Sequence, residues 1–230
     1  MKLTHGLAAA ALALTAFAAQ AEVTGTITAV SDYDFRGITQ TSQDPALQGS
    51  IDFAHDSGVY AGAWASNVDF GDCCDENIEV DLYGGFRGGD AVTYDVGIIY
   101  YAYPGADDID FPEIYAGLGW NWLSGKVWYS NDFGNSGDSA MYYEANGSWE
   151  LPANFGATAH VGYSDGDYWE GSEYTDWSVG VTYALGNFTL GLKYVDGSDL
   201  EEFDGTPDDV SSSEARAIFS VSTTFPWSQE

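Results

Sequence analysis

Apolar and polar residues alternate with a period of two through most of the chain, and no stretch keeps the 3.6-residue period of an amphipathic helix. In residues 78–87, for example, Ile78 and Leu82 share one face, and Glu79 and Asp81 share the other. Such alternation is typical of strands with one apolar and one polar side. The pattern predicts about twelve strands, near residues 23–34, 46–55, 59–69, 78–88, 91–103, 112–122, 126–132, 140–151, 155–164, 175–185, 188–196 and 214–225.

The predicted connections alternate between short turns and long loops. The short ones contain Gly or Asn, which form tight turns, and the long ones are rich in Asp, Glu, Gly and Ser. This alternation predicts an all-β fold: a transmembrane antiparallel up-and-down β-barrel of about 12 strands, with short periplasmic turns and long acidic extracellular loops. The turns are predicted at residues 56–58, 88–90, 123–125, 152–154 and 185–187, and the loops near 35–45, 70–77, 104–111, 133–139, 165–174 and 197–213.

The first 21 residues have the pattern of a cleaved secretory signal. A basic start at Lys2 is followed by an apolar run over residues 7–17, and Ala19-Gln20-Ala21 supplies small residues for signal peptidase. The apolar run is shorter than the roughly 20 residues that a membrane-spanning helix needs. We therefore expect a signal peptide over residues 1–21 and a single barrel domain over residues 22–230.

Composition and charge narrow the environment and the partners. The 16 Tyr, 12 Phe, 8 Trp and 28 Gly suit a barrel with aromatic girdles in the bacterial outer membrane, in contact with the lipid bilayer and lipopolysaccharide. The formal net charge of −30 excludes nucleic acid as a partner and enriches cations near the protein. Acidity of this degree is also found in proteins that are exposed to high external salt, and both explanations stay open.

The basic residues after the signal fall on the polar phase of a predicted strand or, for Arg36 just beyond the first strand, share the phase of Asp32 and Asp34. A Lys or Arg in the middle of the lipid face costs about 2–4 kcal/mol, so a barrel must direct these residues inward. The residues concerned are Arg36, Arg87, Lys126, Lys193 and Arg216.

The polar phases of the strands together predict the lining of a lumen. Charges of both signs there have two interpretations: they line an aqueous path that selects permeants, or they pair with one another and close a narrow barrel. The predicted pore-lining residues are Arg36, Asp52, Glu79, Asp81, Arg87, Asp95, Lys126, Glu144, Glu150, His160, Asp176, Lys193 and Arg216, beside the uncharged Asn146, Thr158 and Thr182.

The sequence predicts no catalytic site, no cofactor and no metal site. Only His55 and His160 remain after the signal, and neither accompanies a nucleophile elbow. Gly-Tyr-Ser-Asp-Gly at 162–166 has the Gly-x-Ser-x-Gly letters, but it follows a predicted strand with no predicted helix after it, as such an elbow requires. The acidic loops lack an EF-hand pattern, so a solvated acidic surface is favoured over calcium binding. The adjacent Cys73 and Cys74 have no distant cysteine to pair with and too few neighbours to complete a metal site.

Three segments carry a resemblance to a known family. They contain Ser-Asp-Tyr-Asp-Phe-Arg-Gly and Pro-Ala-Leu-Gln-Gly-Ser-Ile-Asp within residues 31–52, Gly-Val-Tyr-Ala-Gly-Ala-Trp-Ala-Ser-Asn at 58–67, and Tyr-Asp-Val-Gly with Tyr-Tyr-Ala-Tyr-Pro within 94–104. These segments resemble the TorF family of proteobacterial porin-like proteins, specifically over residues 24–125 and by barrel pattern beyond them. The resemblance implies an outer-membrane barrel with a transport role, without an established substrate or catalytic residue.

The function expected from these features is a porin-like channel for passive diffusion of small solutes, favouring cations. The alternative is a closed outer-membrane barrel with a structural, adhesive or ligand-binding role through its acidic loops. Within the matching motif, we expect Arg36 to lie at the outer end of the first strand and to pair with Asp32, Asp34 or Asp52, fixing the first loop at the pore mouth. Oligomeric state is left open by the sequence.

Overall fold

The computed structural model describes residues 21–71, 77–198 and 212–227. The predicted signal peptide, apart from Ala21, lies outside these residues. So do Cys73, Cys74 and most of the last acidic loop. No helix in the described part of the chain is long and apolar enough to cross a membrane.

The described residues form one closed antiparallel β-barrel of twelve strands, as predicted. Each strand pairs with its neighbours in sequence, and β1 pairs with β14 to close the sheet, from Gly25 with Phe225 to Val30 with Ser220. The barrel strands are β1 (Ala21–Val30), β4 (Ala46–His55), β5 (Val59–Asn67), β6 (Ile78–Gly89), β7 (Val92–Ala102), β8 (Phe111–Trp120), β9 (Leu123–Ser130), β10 (Ala140–Leu151), β11 (Phe155–Asp165), β12 (Tyr174–Leu185), β13 (Phe188–Ser198) and β14 (Arg216–Phe225).

Two strands outside the barrel form a short hairpin of their own. They are β2 (Asp34–Phe35) and β3 (Ile38–Thr39), joined by a two-residue turn. The first predicted strand, 23–34, was therefore too long, because β1 leaves the barrel sheet after Val30.

One predicted turn was also wrong. Leu123 and Gly125, placed in a turn by the Ser-Gly signal, lie in β9, where Gly125 is the partner of Leu118 on β8. The chain turns earlier, at residues 121–122, where Asn121 takes a left-handed φ of 58°. Asn adopts that conformation more readily than most residues, so the turn signal was present two residues upstream.

The outer surface of the barrel is an apolar band between two aromatic belts. Val96, Ile98, Val179, Val181 and Leu192 are among the exposed side chains of the band. This arrangement is that of a barrel whose outer face meets lipid. The belt near the long loops contains Tyr100, Tyr129, Tyr143, Tyr163, Trp177 and Tyr194, and the belt near the short turns contains Phe86, Tyr94, Trp120, Trp122, Trp149, Phe155, Phe188 and Phe225.

The buried apolar residues concentrate inside the long-loop end of the barrel. One cluster holds Val68, Tyr101, Tyr103, Ala106 and Phe111. A second cluster holds Ile38, Ala140, Trp169 and Tyr174, and Phe133 packs against both. The loops thus fold over and into the barrel at this end.

A substitution pair on β13 tests which face meets lipid. Leu192 points outward and Thr189 points inward. We expect Leu192→Arg to lower the free energy of unfolding from lipid vesicles by about 2–4 kcal/mol, because a guanidinium would enter hydrocarbon. Thr189→Arg is the control, and it should lower the free energy of unfolding much less. If a denaturant titration shows equal losses for the two variants, the assignment of the outward and inward faces is wrong.

Candidate functional site

The candidate site is the barrel interior, which the hairpin of β2 and β3, called here the inner hairpin, enters from the long-loop end. Its turn residues Arg36 and Gly37 have positive φ angles of 52° and 86°. Such a turn favours Gly. A Cβ on Gly37 would also lie only 2.6 Å from the Cβ of Asp176, so the turn is packed directly against β12.

Ion pairs attach the inner hairpin to β13 and β14. Arg216 on β14 binds Asp32 through Nε and Asp34 through Nη2, the latter at 2.8 Å, and donates from Nη1 to the carbonyl oxygen of Gly37 at 3.0 Å. Lys193 on β13 donates to Asp34 at 2.8 Å. Because Asp32 and Arg216 are buried, this attachment is shielded from water.

The predicted partners of Arg36 were wrong. Arg36 lies in the turn of the inner hairpin, not at the outer end of a barrel strand, and binds Glu113 on β8 rather than Asp32, Asp34 or Asp52. The contact is bidentate, at 3.0 and 2.6 Å. Burial of Arg36 disfavours its charge, but the attraction of Glu113 outweighs this and raises the arginine pKa above its ordinary value. The hairpin therefore bridges opposite parts of the barrel wall.

A third attachment joins the inner hairpin to β6. The Tyr33 hydroxyl donates to Glu79 at 3.0 Å. Burial, followed by the nearby Glu79 and Asp81 carboxyl groups, raises the pKa of Tyr33 well above its ordinary value, and the same causes act on Tyr103. Both phenols therefore stay protonated and neutral beside the two carboxyl groups.

Below the hairpin, toward the short turns, the lumen is open. A cavity of about 480 Å³ touches Arg36 and Asp34 and is also lined by Glu144 and Asn146. Those two residues also line a second cavity of about 310 Å³. The second cavity in turn shares Asn146 with a third, of about 640 Å³, at the short-turn end. The three adjoining spaces are called here the vestibule, and charged and polar side chains line them together with apolar ones.

His160 lies at the centre of a polar network in the 480 Å³ cavity. Its Nε2 lies 2.9 Å from Asp176, and its Nδ1 lies 2.7 Å from the side-chain oxygen of Asn146. Glu144 accepts from the Asn146 amide at 2.9 Å, which holds the amide oxygen toward the imidazole. Tyr142 donates to Asp176 at 2.9 Å. Both ring nitrogens thus contact oxygen atoms of neighbouring side chains, which fixes the orientation of the imidazole.

Cations and aromatic rings alternate on the wall formed by β5 to β9. Lys126 binds Asp95 at 3.1 Å and lies 4.4 Å from the ring centre of Tyr115. The Arg87 guanidinium lies 4.4 Å from the ring centre of Tyr60, whose hydroxyl donates to Asp95. This wall is therefore charged and partly aromatic, whereas the wall of β11 to β14 and β1 presents mainly Ser, Thr and Gly inward.

The sequence-predicted lumen residues divide into three groups in the structure. Arg36, Asp95, Lys126, Glu144, His160, Asp176 and Lys193, with Asn146 and Thr158, line the cavities of the vestibule. Asp52, Arg87, Glu150 and Thr182 face inward outside these cavities, and Asp52 binds the Tyr83 hydroxyl. Glu79, Asp81 and Arg216 face inward but are buried against the inner hairpin and its surroundings.

Sequence reasoning missed several residues of the site. Glu113 lies in the predicted strand 112–122 but was not among the predicted pore-lining residues, although it shares its phase on β8 with the inward Tyr115 and Gly117. Asp32 and Asp34 were assigned to a barrel strand. The Gly37 signal, a Gly at the second position of a two-residue turn, could have indicated the inner hairpin.

The described residues hold no group of three or more His, Cys, Asp or Glu side chains arranged to bind a metal ion.

The chain belongs to a family described as "Bacterial protein of unknown function (Gcw_chp)", whose model matches residues 15–225. No curated protein matches the sequence.

Solved porin structures share the fold. The KdgM porin matches with a TM-score of 0.56 at 8% identity, over 89% of this chain and 99% of that one. The structure of KdgM in complex with disordered oligogalacturonate matches with a TM-score of 0.56 at 9% identity, over 89% of this chain and 99% of that one. The NanC porin, in a rhombohedral crystal form, matches with a TM-score of 0.58 at 10% identity, over 89% of this chain and 100% of that one. At such low identity the likeness shows the fold alone.

Substitution of Arg216 tests whether buried ion pairs hold the inner hairpin. Arg216→Ala leaves Asp32 buried without its cation, so we expect the free energy of unfolding to fall by about 3–5 kcal/mol. Lys126→Ala is the matched control, since its pair with Asp95 is partly exposed and should be worth at most about 1 kcal/mol. The free energy of unfolding of both variants is measured by equilibrium denaturation. If Arg216→Ala lowers it no more than Lys126→Ala does, buried ion pairs do not hold the inner hairpin.

Proposed function

We propose that this member of the Gcw_chp family is an outer-membrane channel for passive diffusion of small solutes, and that it favours cations. One observation carries the proposal: a closed barrel with an apolar outer face encloses the adjoining cavities of the vestibule between its short-turn end and the inner hairpin. A filled barrel with a merely structural role has no need of such a space.

The inner hairpin is the element that limits the size of the permeant. It crosses the lumen between Glu113 on β8 and Arg216 on β14, and its turn touches β12. The cavity beneath it, about 480 Å³, is in the range of ordinary small-molecule pockets. In the proposed function, solutes reach the hairpin from the vestibule and must pass beside it to cross the barrel.

The preference for cations follows from the balance of inward charges. Inward carboxylates outnumber inward Lys and Arg side chains, and most basic groups are already paired with a carboxylate. The overall charge of −30 further concentrates cations at both mouths. Oligogalacturonate, with which one KdgM structure was solved, is a polyanion, and the lumen of this chain is ill suited to it. The inward carboxylates are Asp32, Asp34, Asp52, Glu79, Asp81, Asp95, Glu113, Glu144, Glu150 and Asp176.

Within this proposal, the residues that contact permeant are those that line the vestibule. Asp95, Lys126, Glu144 and Asp176, together with His160, belong to this lining. Glu79, Asp81 and Arg216 act indirectly, because they position the hairpin or lie beneath it. No catalytic step is part of the proposed function.

Export by the predicted signal peptide, cleaved after Ala21, and contact with lipopolysaccharide at the long-loop end complete the proposal. The resemblance to the TorF family agrees with this placement, and membership of that family stays a prediction.

A second candidate is a closed barrel that acts through its acidic loops. The observation in its favour is the inner hairpin itself, which is bound to β6, β8, β13 and β14. If the space beside the hairpin is too narrow for ions, the loops become the functional surface.

The selectivity is tested by measuring the reversal potential under a KCl gradient across a planar bilayer. We expect preference for K⁺ over Cl⁻ in the wild type, and a shift toward Cl⁻ in the double variant Asp95→Asn, Glu144→Gln, because two vestibule carboxylates lose their charge. Asp196→Asn is the control, since Asp196 lies on the outward phase of β13. A conducting wild type that prefers Cl⁻, or a double variant that behaves like the control, would refute the cation preference.

A further inference from the structure

Two buried carboxyl groups on β6 are left without a counter-charge. Glu79 and Asp81 are neighbours on the inward phase of the strand, and their side chains are only 1% and 7% exposed. No Lys, Arg or His in the described residues lies within ion-pair distance of either. Buried charges are normally paired or coordinate metal ions, since desolvation of an isolated carboxylate is costly.

Each of the two side chains also has an unused oxygen. Glu79 Oε1 accepts a hydrogen bond from the Tyr33 hydroxyl, but no donor reaches Glu79 Oε2 or Asp81 Oδ1. Both of these atoms are fully buried. The two carboxyl groups lie within hydrogen-bonding reach of each other, and Glu79 also lies within reach of the Tyr103 hydroxyl. Unpartnered carboxylate oxygens are rare inside proteins, and an ion bound between them is one of the recognised explanations.

The surroundings of the pair supply oxygen atoms but no positive charge. The neutral phenols of Tyr33 and Tyr103 lie beside Glu79. The nearest cation of the inner hairpin, Arg36, is occupied by a bidentate contact with Glu113. A ligand that satisfies this site must therefore be positively charged, small and held by oxygen atoms.

We propose that Glu79 and Asp81 bind one divalent cation of the calcium or magnesium type beside the inner hairpin. Two carboxylates balance a charge of +2, and hard divalent cations prefer oxygen donors. Magnesium in particular is often held by one or two carboxylates, with other oxygens completing its shell. Because Tyr33 bonds to Glu79, the bound cation fastens the start of the hairpin to β6. This site is independent of the proposed function, since it requires only the folded barrel.

Thermal unfolding of refolded residues 22–230, in detergent without lipopolysaccharide and at neutral pH, tests the site. Addition of about 10 mM CaCl₂ or MgCl₂ to EDTA-treated wild type should raise the unfolding midpoint by roughly 3–10 °C. Glu79→Gln and Asp81→Asn should each abolish this rise, while both keep the shape of the side chain. Glu150→Gln, at an exposed inward position near the short turns, is the control and should keep the rise.

The opposing results are distinct. If neither cation changes the unfolding midpoint of the wild type but acidification raises it, the proposal is wrong, and the two carboxyl groups share a proton instead. A rise that survives in both variants overturns it in favour of cation binding by the acidic loops. If one variant does not refold, the other decides. If neither refolds, tyrosine-sensitised Tb³⁺ emission from the wild type decides: a single saturable site displaced by Ca²⁺ supports the proposal, and its absence overturns it.

Discussion

A sheet that crosses a bilayer cannot leave a strand edge unpaired, and the pairing of β1 with β14 is the contact that meets this constraint. Once the sheet is closed, each strand presents alternate residues to lipid and to the lumen. The outer residues must be apolar over the thickness of the membrane, which leaves the inner positions for charged and hydroxylated side chains. The five basic residues Arg36, Arg87, Lys126, Lys193 and Arg216 are all found inside. In a chain of this acidity they are few, and four of them are paired with inward carboxylates.

The interior that results is divided along its length. Near the long loops, the inner hairpin and the aromatic clusters fill the barrel, and buried ion pairs hold the hairpin to opposite walls. Near the short turns, small side chains of β11 to β14 and β1 face the charged wall across a vestibule. The same ion pairs have two consequences: they keep the hairpin at a fixed depth, and they remove most of the positive charge that would otherwise attract anions. The carboxyl pair Glu79 and Asp81 is the exception, since it lies at the hairpin without a basic partner in the described part of the chain.

Much of the barrel could be predicted from sequence because its signals are local. Period-two alternation marks a strand such as β6 and its phase, and Ala153 and Asn154 do form the predicted turn, with left-handed φ angles of 60° and 66°. The inner hairpin could not be predicted in the same way. Asp32 and Asp34 continue the alternation of β1 in the sequence, but the chain bends at residues 31–32 and leaves the barrel sheet after Val30. The partner of Arg36, Glu113, is distant in sequence, and three nearer aspartates satisfied the same charge requirement. Long-range pairing of this kind is fixed by the closed sheet, which brings β8 and β14 to opposite sides of one hairpin.

The most direct test is the single-channel conductance of refolded residues 22–230 in a planar bilayer, recorded beside a variant in which a short Gly-Ser turn replaces residues 31–45. Such a turn can join β1 to β4 because Val30 and Ala46 are already paired. If the barrel is a channel that the inner hairpin constricts, the wild type shows discrete small steps, and the variant shows larger ones. If both proteins insert and fold but neither conducts, the vestibule does not lead through the membrane, and the channel account is wrong.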